Sequence, residues 1–203
     1  MERMDPVDAN PPRDAIGTAA DAHAAAPLLN CLLRELGEPV EAGGGDAEHV
    51  VPGATGATGV HRLRASGRLL RVRGTRRPTC PEVLTDGTWH PLTHTELVKL
   101  TAEELRLLTG LSNPELPAEM LDSREAVAAI LTARARATAP EDPYRLSEQS
   151  LITGHPYHPA PKARGGPPAA WLPYAPEAYA AFPLILLGVR EDTVVEEGDT
   201  AVL

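Results

Sequence analysis

His61-Arg62-Leu63-Arg64-Ala65, Ser66-Gly67-Arg68 and Leu69-Leu70-Arg71-Val72-Arg73 follow one another without a gap, and their reading decides the fold class. Apolar and charged residues alternate with a period of two on either side of a short turn-like triplet. That pattern is the signal of an antiparallel hairpin with one packed and one solvated face. Arg62, Arg64, Arg68, Arg71 and Arg73, with Arg76 and Arg77 close by, then read as outward positions of a strand pair rather than as an anion site. A further short strand is expected at Glu82-Val83-Leu84, with a turn at Asp86-Gly87.

Helical periodicity flanks this small sheet. Ala15 to Gly37 reads as a helix, with Leu28, Leu29, Leu32, Leu33 and Leu36 on one face and Gly37 as its stop. Thr93–Leu111 and Asn113–Thr138 read as two more helices. Thr101 and Glu104 have the capping-box spacing, and Ser123-Arg124-Glu125-Ala126 offers another start. Pro140 and Pro143 end the helical run. Tyr174–Ala181 reads as a short helix or turn, and Phe182–Val189, the most hydrophobic run, as a buried strand. The expected class is α+β: N-terminal helices packed on a small antiparallel sheet, followed by a loop-rich, mobile segment. Residues 1–14 read as a disordered leader and Glu41–Gly59 as a flexible loop. Residues 15–139 form the helical and hairpin region, and 140–203 carry the chemistry-bearing segment, in one structural unit with 15–139.

Bulk properties narrow the function classes. The chain has 203 residues, with 42% hydrophobic but only 3% aromatic side chains, so Leu, Val and Ala must build the core. A net charge of −9 disfavours a general nucleic-acid or membrane-surface binder. Cys31 and Cys80 lie far apart and form no ligand-like pair, which fits a reduced compartment. No apolar run reaches membrane-span length, so cytoplasm is the expected location.

The densest chemistry lies between Glu148 and Arg164. Ser150, Thr153, Gly154, His155, His158, Lys162 and Arg164 fall there among Pro156, Pro159 and Pro161. Hydroxyls and imidazoles donate hydrogen bonds, Lys162 offers a mobile point charge, and Arg164 offers a planar fork for two oxygens. Gly154 permits close backbone approach, and the prolines reduce the entropy lost on ordering. Such a set suits a multiply charged anion, a nucleotide triphosphate first. A plain proline-rich surface loop explains the same composition equally well. The two imidazoles have no acidic or thiol neighbours to complete a zinc site, so no metal centre is expected. Gly-Lys-Ser/Thr and Gly-x-Gly-x-x-Gly phosphate loops are absent.

Ser150 through Arg164, with Gly-His-Pro-Tyr-His-Pro-Ala-Pro-Lys-Ala-Arg-Gly, resembles the signature of the aerobactin-type (IucA/IucC) siderophore synthetases, the NRPS-independent siderophore ligases. Tyr174-Ala175-Pro176-Glu177 and Phe182-Pro183-Leu184 look like that family's following block. The resemblance covers the last third of the chain. It implies ATP and magnesium as cofactors and adenylation of a carboxylate of citrate or succinyl type. Condensation with an amine, hydroxylamine or alcohol follows, in siderophore biosynthesis and iron acquisition. It also implies that Ser150, Thr153, Gly154, His155, His158, Lys162 and Arg164 line the nucleotide site. No catalytic residue is assigned.

The chain departs from the family pattern at Gly166-Pro167-Pro168, where an apolar or aromatic residue is usual. Family members also run several hundred residues further. The resemblance therefore implies an N-terminal portion, completed by a second chain or surviving as a non-catalytic remnant or interaction protein.

Overall fold

The computed structural model describes residues 13–40, 58–74 and 77–195. Its architecture is α+β, with helices packed on one five-stranded antiparallel sheet. Helix α1 (Arg13–Leu36) runs directly into β1 (Gly37–Pro39). Strands β2 (Thr58–Leu63), β3 (Leu69–Arg73), β4 (Thr79–Thr85) and β5 (Thr88–Pro91) follow. The strand order is β1-β2-β3-β4-β5, so every neighbour in the sheet is a neighbour in sequence. Helices α2 (His94–Thr109) and α3 (Glu115–Arg136) complete the scaffold, and α4 (Pro143–Glu148) and α5 (Pro168–Trp171) are short. Leader residues 1–12 and loop residues 41–57 lie outside the described residues, whereas Arg13 and Asp14 already belong to α1 and Thr58 and Gly59 to β2.

One apolar cluster joins the layers. Leu28, Leu29, Leu32 and Leu36 of α1 meet Leu63 of β2, Leu70 and Val72 of β3, Leu97, Val98 and Leu100 of α2, and Met120 of α3. Leu33, expected on the same stripe, is half-buried at its margin. The outer sheet face carries the arginines. Arg71 pairs with Glu82 at 2.7 Å and lies over the Trp89 ring at 4.4 Å, while Arg64 reaches Glu38 at 3.3 Å. These contacts give Arg71, and Arg64 just past β2, a structural use.

Local chemistry sets the turns and caps. Asp86 and Gly87 both have positive φ, 49° and 76°, and Thr85 pairs with Thr88. Asp-Gly is favoured at the two left-handed positions of a type I′ hairpin turn, whose twist matches that of the strands it joins. Thr93 caps α2: its hydroxyl accepts from Glu96 N, and Glu96 Oε2 accepts from Thr93 N at 2.8 Å.

Several expectations are corrected. Thr101 and Glu104 form no capping box, because α2 is already running there. Thr101 Oγ1 donates to Leu97 O at 2.8 Å, and buried Glu104 accepts from Ala65 N and Ser66 N at 2.6 and 3.1 Å, clamping the β2–β3 turn onto α2. Ser123 starts no helix; it is buried in the middle of α3. Phe182–Val189 is neither a strand nor buried. Within the described residues its backbone joins no strand, and beyond the Phe182 ring, which meets the Tyr174 ring edge-on at 5.3 Å, its large apolar side chains stay exposed; apolar composition alone supplies neither partner nor cover.

Candidate functional site

Helix α3 builds the site. Ser123, Ala126, Val127 and Ile130 form one buried stripe, at the spacing that aligns residues on a helix face. Polar groups at the same helix then grip the segment that follows it. Ser123 Oγ accepts from Lys162 N at 3.0 Å. Asp122 Oδ2 accepts from Arg164 N at 2.7 Å and Gly165 N at 3.0 Å. In the last turn of the helix, Arg134 Nη1 donates to Gln149 O at 2.7 Å and Glu177 O at 2.8 Å. Its Nη2 donates to Tyr179 Oη, and its guanidinium lies over the Tyr179 ring at 4.0 Å.

The segment is thus pinned by backbone contacts, in contrast to the mobile loop expected. Ala160 enters the main apolar cluster, with Ala163 packed at its edge. Asn30 Nδ2 of α1 donates to Pro156 O at 2.9 Å, and Arg34 lies over the Tyr157 ring at 5.2 Å. The two legs of the loop touch at Gly154. A Cβ there would sit 2.9 Å from Pro161 Cβ and 3.2 Å from its carbonyl oxygen, so glycine is required by the close approach.

At the centre is a buried ion pair. Lys162 and Glu177 are only 7% and 5% exposed, and Lys162 Nζ donates to Glu177 Oε1 and, at 3.1 Å, to Leu151 O. Arg164 Nη2 also reaches Glu177 Oε1, at 3.3 Å, while its guanidinium lies 5.9 Å from the Trp171 ring. Glu177 Oε2 is buried without a hydrogen-bond partner. Burial pushes the Glu177 carboxyl up, but the bond from Lys162, with the backbone and the charges of Lys162 and Arg164, outweighs it. The group is held below its ordinary value. Lys162 is therefore already neutralised, a pairing the sequence reading did not foresee.

The imidazoles stand on the exposed tip and share one local device. Tyr157 N donates to His155 Nδ1 at 3.2 Å, and Ala160 N donates to His158 Nδ1 at 3.1 Å. Each is a His-Pro-x unit. Proline has no N–H, so the first amide able to fold back onto the ring is two residues on. An Nδ1 that accepts fixes the neutral ring as the Nε2–H tautomer, leaving Nε2–H to donate outward. Ser150 is exposed and its Oγ donates to Ser147 O at 2.6 Å, and Thr153 is half-buried. The structure thus brings Lys162 and Arg164 together on Glu177. Among the described residues no hydrogen bond or ion pair joins His155 or His158 to them.

The sequence model of the IucA / IucC family matches residues 143–201, the stretch from α4 past the exposed apolar run. The L-2,3-diaminopropanoate–citrate ligase of Staphylococcus aureus (strain NCTC 8325 / PS 47) is 48% identical over 56 residues, 27% of this chain and 10% of the ligase. The ATP-bound structure of aerobactin synthetase IucA from a hypervirulent pathotype of Klebsiella pneumoniae superposes with a TM-score of 0.56 at 19% identity. That superposition covers 79% of this chain and 29% of that one. A second structure of aerobactin synthetase IucA gives a TM-score of 0.55 at the same identity, covering 79% of this chain and 30% of that one. At this identity the likeness establishes the fold. Residues 143–201 thus resemble the IucA / IucC family, and the chain spans less than a third of the length of the solved structures that share its fold.

Proposed function

We propose that this chain carries the polyphosphate-holding part of an ATP-dependent siderophore synthetase, a carboxylate–amine ligase. The observation that carries the reading is one of place. The residues matched by the family are those that α3 holds as a braced, cation-bearing loop. The relatives are a citrate ligase and an aerobactin synthetase solved with ATP, which supports the same ligand here.

In this reading Arg164 and the two outward Nε2–H groups meet phosphate oxygens. The hydroxyls of Ser150 and Thr153 add donors, and Gly154 keeps the loop legs close enough to present them. Lys162 acts from beneath, holding Glu177 and the Leu151 carbonyl so that Arg164 keeps its position. Magnesium prefers oxygen ligands and retains waters, so it would arrive with the nucleotide as the ATP complex. A carboxylate of citrate or succinyl type attacks the α-phosphorus, the α–β anhydride breaks and pyrophosphate leaves. An amine or hydroxylamine then takes the acyl group and AMP departs. Charge grows on the phosphoryl oxygens during the first attack, so donors already fixed there lower its barrier.

The chain spans only part of the relatives, so the complete reaction belongs to the completed protein. The test is pyrophosphate exchange by this chain together with the remaining portion of a family member. Exchange that requires both a carboxylate and this chain is expected. Exchange unaffected by leaving out this chain would contradict the reading. A second reading, a remnant that binds partners without nucleotide, is favoured by one observation: the charge of Lys162 is already spent on Glu177. It predicts no saturable heat with ATP–magnesium.

A further inference from the structure

In Phe182-Pro183-Leu184-Ile185-Leu186-Leu187-Gly188-Val189 the Phe182 ring rests edge-on against Tyr174, and the run from Leu184 onward lies open. Leu184, Ile185, Leu186 and Leu187 are 80%, 84%, 93% and 84% exposed, and Val189 is exposed too. Folded chains rarely leave so large a contiguous apolar surface in water, and those that do use it for association. The order of residues says what kind. In an extended strand Leu184 and Leu186 share one face, and Ile185 and Leu187 share the other. Both faces are apolar, the pattern of a strand buried inside a sheet that is covered on both sides.

The sheet of this chain does not offer such a position. Its outer face is polar, carrying Arg71 paired with Glu82, and its free edges are the short strands β1 and β5. Docking on either edge, in this chain or in a second copy, would leave one apolar face of the run in water. The run lies within the family-matched residues, and the solved relative has 71% of its length outside the superposed region, from the 29% covered.

We infer that Phe182–Val189 is an inner β-strand whose place is in a double-covered sheet of the portion of the family fold that this chain does not span. That portion is either joined to the chain or carried by a partner polypeptide. This inference deepens the proposed function by naming the surface that completes the enzyme. It rests on the family match over residues 143–201 rather than on nucleotide binding.

The experiment is amide hydrogen exchange with light scattering on the full chain, alone and with a stated probe. The probe is the Staphylococcus aureus diaminopropanoate–citrate ligase lacking the segment that corresponds to this chain. Alone, the amides of 182–189 exchange at open-chain rates. With the probe, a one-to-one complex forms and the same amides slow by about 100-fold or more. Asp substitution of Leu184 and Leu186, or of Ile185 and Leu187, each weakens the complex at least about tenfold, because burial of each face contributes. These side chains are exposed, so both variants keep the fold. Open-chain exchange in the mixture overturns the inference. So does protection in the chain alone, protection through self-association, or loss of the complex from only one face. Calorimetry with ATP–magnesium on the same samples separates the two readings: a protected strand without nucleotide binding removes the nucleotide site and leaves this inference standing.

Discussion

Lys162 and Glu177 are fifteen residues apart, and their pairing changes what each substitution reports. A buried pair that loses one partner leaves an uncompensated charge in the interior, at a cost of about 3–5 kcal/mol. Lys162→Ala is therefore expected to lower folding stability by that amount in urea denaturation, before any effect on a ligand. Lys162→Met combined with Glu177→Leu is expected to recover most of the loss, since it removes both charges and keeps the volume. A single variant as stable as the parent would contradict the buried pair. Protonation gives an independent readout. Glu177 has a lower carboxyl pKa folded than unfolded, so its contribution is present above the unfolded value and lost as pH falls through the folded one. His94 acts higher on the scale. Both its ring nitrogens are buried without partners, and burial pushes its pKa down despite the raising influence of Asp21 and Glu125. Below about 6.5 the unfolded chain takes up a proton that the folded chain resists, so stability declines from there downward. Half-buried His61 is shifted the same way. The urea midpoint is expected to fall from pH 7 toward pH 5, and His94→Leu to flatten that slope. An unchanged slope in the variant would remove His94 as a cause.

At the scale of elements, local signals and tertiary demands part company. The β2–β3 hairpin, the Asp86-Gly87 turn and the spans of α1 to α3 could be read from periodicity and turn chemistry. The two Thr-x-x-Glu sequences could not be told apart that way. Thr93 with Glu96 caps α2, while Thr101 with Glu104 lies inside it, because only the fold places the β2–β3 turn over Glu104. Glu104→Leu is expected to destabilise the chain by about 2–6 kcal/mol, leaving the Ala65 and Ser66 amides without their acceptor at about 1–3 kcal/mol each. Thr93→Ala is expected to cost about 1 kcal/mol, the scale of a lost helix cap. Thermal or urea denaturation that ranks Thr93→Ala above Glu104→Leu would reverse the assignment of roles. Phe182–Val189 shows the opposite failure: its composition reads as a buried strand, yet burial requires neighbouring strands and covering layers that the described residues do not provide.

Across the whole molecule, α3 is the part that holds the motif-bearing segment in place. Ser150, Thr153, Gly154, His155, His158, Lys162 and Arg164 stand out in the sequence because hydroxyls, imidazoles and cations gather there among prolines. Asp122, Ser123, Arg134 and Glu177 do not, since each acts across a sequence gap that only folding closes. Their joint effect is a loop whose backbone is fixed at both legs while Arg164 and two imidazole Nε2–H groups remain able to donate outward. That is the arrangement the nucleotide reading needs. Because Arg164 is partly exposed, it can be altered without the penalty that attends Lys162. Calorimetric titration of ATP–magnesium into the parent chain and into Arg164→Gln is the most direct measurement. The account predicts saturable binding by the parent and a loss of about 10- to 100-fold in the variant, the range for one charge-assisted hydrogen bond. Equal isotherms, or no saturable heat from the parent either alone or with the remaining portion of a family member, would contradict it.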